Sequence, residues 1–302
     1  MCVYRHLKIK SVFIFALLLC LNACTKKETL TVHEYAVIQG NDVPPNTSVS
    51  QIQLNNYINK SYIDLLGREP STAELTLHTN NLKTAKYSEA SRKVMITSLL
   101  NSYTYYERFF EMFSSKILQS VDSIQMQNDL EYYPMAIAEA NANGFYGYAY
   151  TLTIDQANII NLSNAKNDFR NGTIDINTFF YRFIYNPYYD EINMGYANYM
   201  LASYQNLFRR FPTADELARG IDMQENTSTS LMGVDGSNLQ DLASILTNCD
   251  AFYEGLVYDA FDRLLVRVPV SLEMANNTTL IKTSNYKALQ LKIMLESEYA
   301  GF

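Results

Sequence analysis

Apolar residues recur along three parts of the chain at the spacing of one buried face on an α-helix. The three stripes are Ile58, Tyr62, Leu65 and Leu66; Met200, Tyr204, Leu207 and Phe208; and Val257, Phe261, Leu264 and Leu265. Each stripe predicts an amphipathic helix that packs through this face against its neighbours.

The same motif, aromatic-x-x-Leu-apolar-x-Arg-x-Pro-x-x-x-Glu-apolar, contains the end of each stripe. Its aromatic, Arg, Pro and Glu positions are Tyr62, Arg68, Pro70 and Glu74; Tyr204, Arg210, Pro212 and Glu216; and Phe261, Arg267, Pro269 and Glu273. Pro cannot continue a helix, so the chain turns after each Arg. Ser71 and Thr213 each stand three residues before Glu, which is typical of a capping box that begins the next helix, whereas Val270 lacks a side-chain acceptor.

This internal repeat predicts an all-α fold, an array of helix–turn–helix corners. In each corner the Arg bonds the last carbonyls of the first helix or pairs with the Glu across the turn. The first two corners are much further apart than the last two. We therefore predict a first helical unit at 51–118, a Tyr-rich segment at 119–164 that is an insertion or a degenerate repeat, and units two and three at 165–302.

A longer pattern begins at Arg170 and runs Arg-Asn-Gly-Thr-Ile-Asp-Ile-Asn-Thr-Phe-Phe-Tyr-Arg-Phe-Ile-Tyr-Asn-Pro-Tyr-Tyr to Tyr189. Together with the corner at 207–212, it resembles the phycobilisome linker domain and related bacterial extracellular modules. The resemblance covers about residues 165–255. It implies an all-helical fold and a role in protein–protein assembly, and it bears on fold more than on function because one fold serves many functions.

The amino terminus is typical of a secretory signal peptide. Arg5, Lys8 and Lys10 precede an apolar run at 11–21, which is too short to cross a membrane as a helix. The following Leu21–Cys24 resembles the bacterial lipoprotein box, in which cysteine is lipidated and becomes the first residue. The alternative is an ordinary secreted protein with a cysteine at this place.

The lipoprotein resemblance implies that residues 1–23 are removed and that lipid on Cys24 anchors the protein in a membrane. Residues 24–50 are rich in polar and turn-forming residues and are predicted to form a flexible tether. Thr25 stands where many inner-membrane lipoproteins have Asp. We therefore expect an outer-membrane, lipid-anchored protein that faces the periplasm or the cell surface.

Composition narrows the range of partners. The chain has 302 residues, 48% of them hydrophobic, and a net charge of −7. This acid excess argues against nucleic acid as a partner, because phosphate binding requires a basic surface. Of the four cysteines, only Cys249 would remain as a free thiol in the processed chain, where we expect it to be a buried small apolar residue.

The sequence contains no recognisable catalytic constellation, such as Gly-x-Ser-x-Gly, a phosphate-binding Gly loop or a dinucleotide fingerprint. His33 and His78 have no second ligand at metal-binding spacing, and we expect both to be solvated. Residues 167–178 mimic a calcium loop but have Phe169 and Thr178 where carboxylates are needed. We predict a protein that is not an enzyme and has no cofactor and no metal.

Tyrosine is unusually frequent, with 24 residues in the chain, of which 14 crowd the middle at 103–199. Tyr suits interfaces because its ring is apolar and its hydroxyl bonds water. These residues either pack between helices or form a binding surface, and the candidate surface around a predicted loop at 141–150 is Tyr132, Tyr133, Phe145, Tyr146, Tyr148 and Tyr150. We predict a non-enzymatic envelope scaffold or adaptor that binds another protein. The alternative is a surface glycan-binding accessory protein that uses residues 131–150.

Overall fold

The chain is predominantly helical, as the sequence predicts. A computed structural model describes residues 49–119 and 121–302. The predicted signal peptide at 1–23, Cys24, His33 and the tether up to residue 48 lie outside them. The helices are α1 Gln51–Leu66, α2 Thr72–Thr84, α3 Glu89–Leu100, α4 Tyr103–Ile117, α5 Ser123–Ala142, α6 Tyr146–Asn171, α7 Ile176–Ile184, α8 Pro187–Ile192, α9 Tyr196–Phe208, α10 Ala214–Gln224, α11 Leu239–Asn248, α12 Asp250–Leu265, α13 Ser271–Thr283, α14 Tyr286–Leu295 and α15 Ser297–Ala300.

Short polar side chains begin many of these helices. Ser50, Ser71, Ser102, Asp175 and Asn238 each accept a hydrogen bond from the backbone N–H three residues further on, at 2.8–3.3 Å. Such bonds satisfy amide groups that have no partner within the helix. The segment that mimics a calcium loop is therefore the helix–loop–helix junction between α6 and α7.

An aromatic core holds the central helices together. Phe179 on α7 is fully buried, and its ring centroid lies 5.2 Å from that of Phe109 on α4 and 5.1 Å from that of Phe169 on α6. The neighbouring Phe180 extends the core to Phe252 on α12, at 5.4 Å. These rings join four helices that are distant in sequence.

The two ends of the described chain pack against each other. The Tyr57 hydroxyl on α1 donates to the Met294 carbonyl at 3.3 Å, and the Tyr299 hydroxyl donates to Asp64 at 2.9 Å. Arg263, just before the third corner, donates to the Asp64 carbonyl at the end of α1. The described residues form one compact unit, in which the first corner lies next to the third.

A small β-hairpin, which the sequence analysis missed, follows α10. Strand β1 (Thr229–Leu231) pairs antiparallel with β2 (Val234–Gly236). Met232 and Gly233 connect the strands with φ of 52° and 79°, as a two-residue turn with left-handed residues requires. Within the described ranges, no helix is both long and apolar enough to span a membrane.

The Tyr-rich segment forms a helical hairpin of α5 and α6. The prediction of a loop at 141–150 is wrong, because α5 continues to Ala142 and α6 begins at Tyr146. Gly144 has φ of 78° in the three-residue turn between them. Small buried residues, Ala136 and Ala140 on α5 and Ala149 on α6, let the helices approach closely.

Candidate functional site

The three Arg–Glu pairs of the repeated motif have closely matching geometry. In each pair both terminal guanidinium nitrogens donate to the carboxylate, at 2.9 and 2.7 Å for Arg68–Glu74 and at 2.8 and 2.7 Å for Arg210–Glu216. The Arg267–Glu273 pair has the same distances as the second, and Arg267 also binds Glu298. Of the two alternatives for the Arg, the structure shows the pair with Glu across the corner; the carbonyl that each Arg bonds belongs to the next residue, not to the preceding helix.

Each motif residue has a local partner. The guanidinium carbons of Arg68, Arg210 and Arg267 lie 5.0–5.2 Å from the ring centroids of the motif's own aromatic residues, Tyr62, Tyr204 and Phe261. The pKa of each Glu is lowered to about 2. The main cause is the pair of hydrogen bonds from Arg, and the hydrogen bond from the backbone N–H at the helix start lowers it further. Because the Arg and Glu of each motif satisfy one another with two charge-assisted hydrogen bonds, the pairs stabilise the turns.

The first helix of each corner ends at a residue with a left-handed backbone conformation. The prediction that Pro makes the chain turn is therefore wrong. The residue immediately before the motif Arg is Gly67, Arg209 or Val266, with φ of 69°, 58° and 56°. Gly adopts this conformation freely, whereas a β-branched residue is strained in it. Pro70 and its equivalents lie in the extended linker that leads to the second helix.

The third corner differs from the others at its exposed positions. The residues that flank the Arg–Pro turn are polar or small in the first two corners, with the exception of Phe211. In the third they are the aliphatic Val266, Val268, Val270 and Leu272, which are 61–83% exposed. Val270 offers no side-chain acceptor to the helix start, where Ser71 and Thr213 complete capping boxes. The third corner thus exposes apolar area at some cost in stability.

We expect the double variant Val266→Asn/Val270→Thr to be more stable than the wild type by about 2 kcal/mol. Asn tolerates the left-handed conformation, and Thr supplies the missing cap; each change contributes about 1 kcal/mol. Urea denaturation measures the free energy of unfolding. Val268→Thr removes a comparable aliphatic group without changing strain or capping and should alter stability by less than about 0.5 kcal/mol. If the double variant is no more stable than Val268→Thr, then strain at Val266 and the missing cap at Val270 do not destabilise the third corner.

The hairpin α5–α6 has a second exposed apolar surface. We call the following residues, which are 58–70% exposed, the aromatic surface: Tyr132, Met135, Phe145, Tyr146, Tyr148 and Tyr150. Tyr133, predicted as part of the binding surface, is instead partly buried, with its ring 6.4 Å from that of Tyr132. Met135 is not among the residues predicted for this surface, because an apolar residue on a helix is expected to be buried. A concentration of large exposed apolar side chains in one segment is typical of interaction sites.

The two candidate reactive groups outside these surfaces are also locally bonded. His78 is partly buried, not solvated as predicted, and its Nε2 lies 2.9 Å from the Tyr62 hydroxyl; burial lowers the pKa of His78. Cys249 lies half-buried at the start of α12, and burial raises the pKa of its thiol, which disfavours the reactive thiolate. Among the described residues, no cluster of three His, Cys, Asp or Glu side chains could hold a metal ion.

A shallow groove of about 390 Å³ lies beside the second and third corners. Its lining includes Arg209, Glu254, Tyr258 and Val268. Asp262 neutralises Arg209 at 2.8 Å. The groove therefore provides an apolar wall next to the aliphatic third corner. Two of its charged lining residues, Arg209 and Asp262, pair with each other.

Comparison of the chain with models of known protein families, with characterised proteins and with solved structures gives no match.

Proposed function

We propose that this protein is a non-enzymatic scaffold or adaptor of the bacterial envelope, anchored to the outer membrane by lipid on Cys24, and that it binds a protein partner. The aromatic surface of the hairpin α5–α6 carries this proposal. Six large apolar side chains lie exposed there although the fold has a full aromatic core elsewhere. Tyr and Met are enriched in protein interfaces, where they give large contact areas.

The three matching Arg–Glu corners support the interpretation of the motif as a structural repeat, similar to the linker modules that assemble proteins. In this interpretation the corners form a rigid frame, while exposed segments between or beside them make the contacts. The aliphatic residues of the third corner support the same role, because their exposure brings no benefit to folding. A scaffold needs at least two contact surfaces, and the lipid anchor would supply one of them.

Glycan binding is the second candidate function. Tyr146 and Tyr150 are one helical turn apart at the start of α6, and both rings are highly exposed. Two rings at this spacing suit stacking on successive sugar rings. Retention of the protein on a neutral polysaccharide column, lost in Tyr146→Ala/Tyr150→Ala, would favour this function over protein binding.

The proposal is tested by photo-crosslinking in cells that produce the full-length chain. A benzophenone side chain replaces Tyr146, or in a matched control replaces Val94, which is equally exposed on α3. We expect a discrete protein adduct from position 146, absent at position 94 and lost when Tyr132 and Tyr150 are changed to Ala. The adduct should be recovered with outer membranes, and Cys24→Ser should release the protein from them.

Two results would overturn parts of the proposal separately. Identical adduct patterns at positions 146 and 94, or none at 146, would reject the hairpin as a protein-binding surface. Membrane retention of Cys24→Ser would reject lipid anchoring without affecting the hairpin. Circular dichroism on each variant establishes that it is folded.

A further inference from the structure

The hairpin α5–α6 contains no basic residue until Lys166, near the end of α6. No Lys, Arg or His occurs between Lys116 and Lys166, whereas α5 and the first part of α6 contain Asp129, Glu131, Glu139 and Asp155. The side chains of the lysines at the two ends of this segment pair with carboxylates on other helices. Lys116 lies 3.2 Å from Asp259, and Lys166 lies 3.6 Å from Glu107. The nearest cations in sequence therefore do not neutralise the hairpin.

Four carboxylates of the hairpin have no ion-pair partner in other parts of the described fold. Among the described residues, Asp129, Glu131, Glu139 and Asp155 take part in no ion pair. Asp129 accepts a hydrogen bond from the neutral Tyr188 hydroxyl at 2.7 Å. Burial, and then the charge of Asp190, raise the pKa of Asp155 above its ordinary value. The protein itself leaves this negative charge unbalanced.

The exposed Glu131, Met135 and Glu139 follow one another at intervals of one helical turn on α5, so two carboxylates lie on the same helix face as a member of the aromatic surface. Burial, and then the charges of Asp155 and Asp129, raise the pKa of Tyr133 to about 12. The Tyr133 ring in turn contacts that of Tyr132 in the aromatic surface. A guanidinium or ammonium group is attracted both to the face of an aromatic ring and to a carboxylate. Rings and carboxylates in one patch are thus suited to a cationic ligand.

We propose that the aromatic surface docks a segment of the protein partner that is rich in arginine and lysine. This inference rests on the proposed protein-binding function and names the chemistry of the partner. Arg is the better fit of the two, because its planar group stacks on rings while it bonds carboxylates. The same charge repels anionic phospholipid headgroups and acidic polysaccharides, so the anchored hairpin faces away from an anionic membrane surface.

The test measures binding of a fluorescent oligoarginine peptide to the full-length chain by anisotropy. Glu131→Lys/Glu139→Lys reverses two exposed charges on α5. Glu225→Lys/Asp235→Lys gives the same net charge at exposed positions outside the hairpin. We expect the hairpin variant to weaken binding about tenfold and the control variant to change it less than about twofold. Tyr146→Ala/Tyr150→Ala should also weaken binding, and the affinity should fall with added salt.

Equal loss in the two charge variants would show that the peptide responds only to net charge and would overturn the inference. Equal binding of an oligoglutamate peptide would overturn it as well. The crosslinking experiment separates this failure from that of the proposed function. If the adduct at position 146 persists in Glu131→Lys/Glu139→Lys, the hairpin binds a protein of other chemistry; if the wild type forms no adduct, protein binding itself is rejected.

Discussion

Gly255→Ala is expected to destabilise the protein by about 3 kcal/mol, although Ala is the better helix former by about 1 kcal/mol. Gly255 is buried on α12, where a Cβ would lie 1.8 Å from the Leu207 carbonyl oxygen and 3.3 Å from the Phe208 Cα. These are backbone atoms at the end of α9, so no side-chain rotation can relieve the overlap. The two helices would have to separate. Urea denaturation followed by circular dichroism measures the loss.

Gly147→Ala is the matched control, because Gly147 is also helical but a Cβ there meets nothing within 4 Å. We expect this variant to gain about 0.5–1 kcal/mol. If Gly255→Ala proves as stable as Gly147→Ala, then α9 and α12 are not in the close contact described. Gly255→Ser should be at least as harmful as Gly255→Ala, since it retains the clashing Cβ.

Phe179→Ala should cost about 4 kcal/mol in the free energy of unfolding. The Phe179 ring is fully buried and touches the rings of Phe109, Phe169 and Phe183, so its removal leaves a cavity between three helices. The same denaturation experiment measures this loss. Phe179→Leu, which removes less volume, should have an intermediate effect and remain foldable.

Phe145→Ala tests whether burial of the ring is the cause of the loss expected from Phe179→Ala. Phe145 is 63% exposed in the turn of the hairpin, so its loss should change the free energy of unfolding by less than about 0.5 kcal/mol. A large loss from Phe145→Ala would mean that the ring is buried in the folded protein. That result would also remove a member of the aromatic surface and weaken the proposed docking role.

Local sequence patterns predicted the helices and the corner geometry well. The stripe that ends at Leu66 and the Ser71/Glu74 capping box involve contacts within a few residues, and those contacts dominate their conformation. The Tyr-rich segment was mistaken for a loop around Asn141–Gly144, because its Gly and Asn residues are typical of turns. The chain needed only three residues to turn there, since two helices with small contact residues pack closely.

The candidate site could be predicted in part. Tyr132, Phe145, Tyr146, Tyr148 and Tyr150 were identified from their amino-acid type and crowding, and the structure exposes them all. Tyr133 is partly buried and Met135 is exposed, which the sequence pattern does not distinguish. Helical periodicity gives the relative directions of side chains, but it does not say which directions other helices cover.

The sequence by itself determined that capped helices begin after Ser71 and Thr213, that Arg and Glu stand within reach of each other in each corner, and that residues 117–165 contain acids but no cations. These properties depend on residue identity and on neighbours within about two helical turns. The tertiary structure alone decided that the first corner packs against the third, that α9 and α12 touch through Gly255, and which rings face solvent. Such contacts join residues far apart in the chain, and their choice depends on the simultaneous packing of all helices.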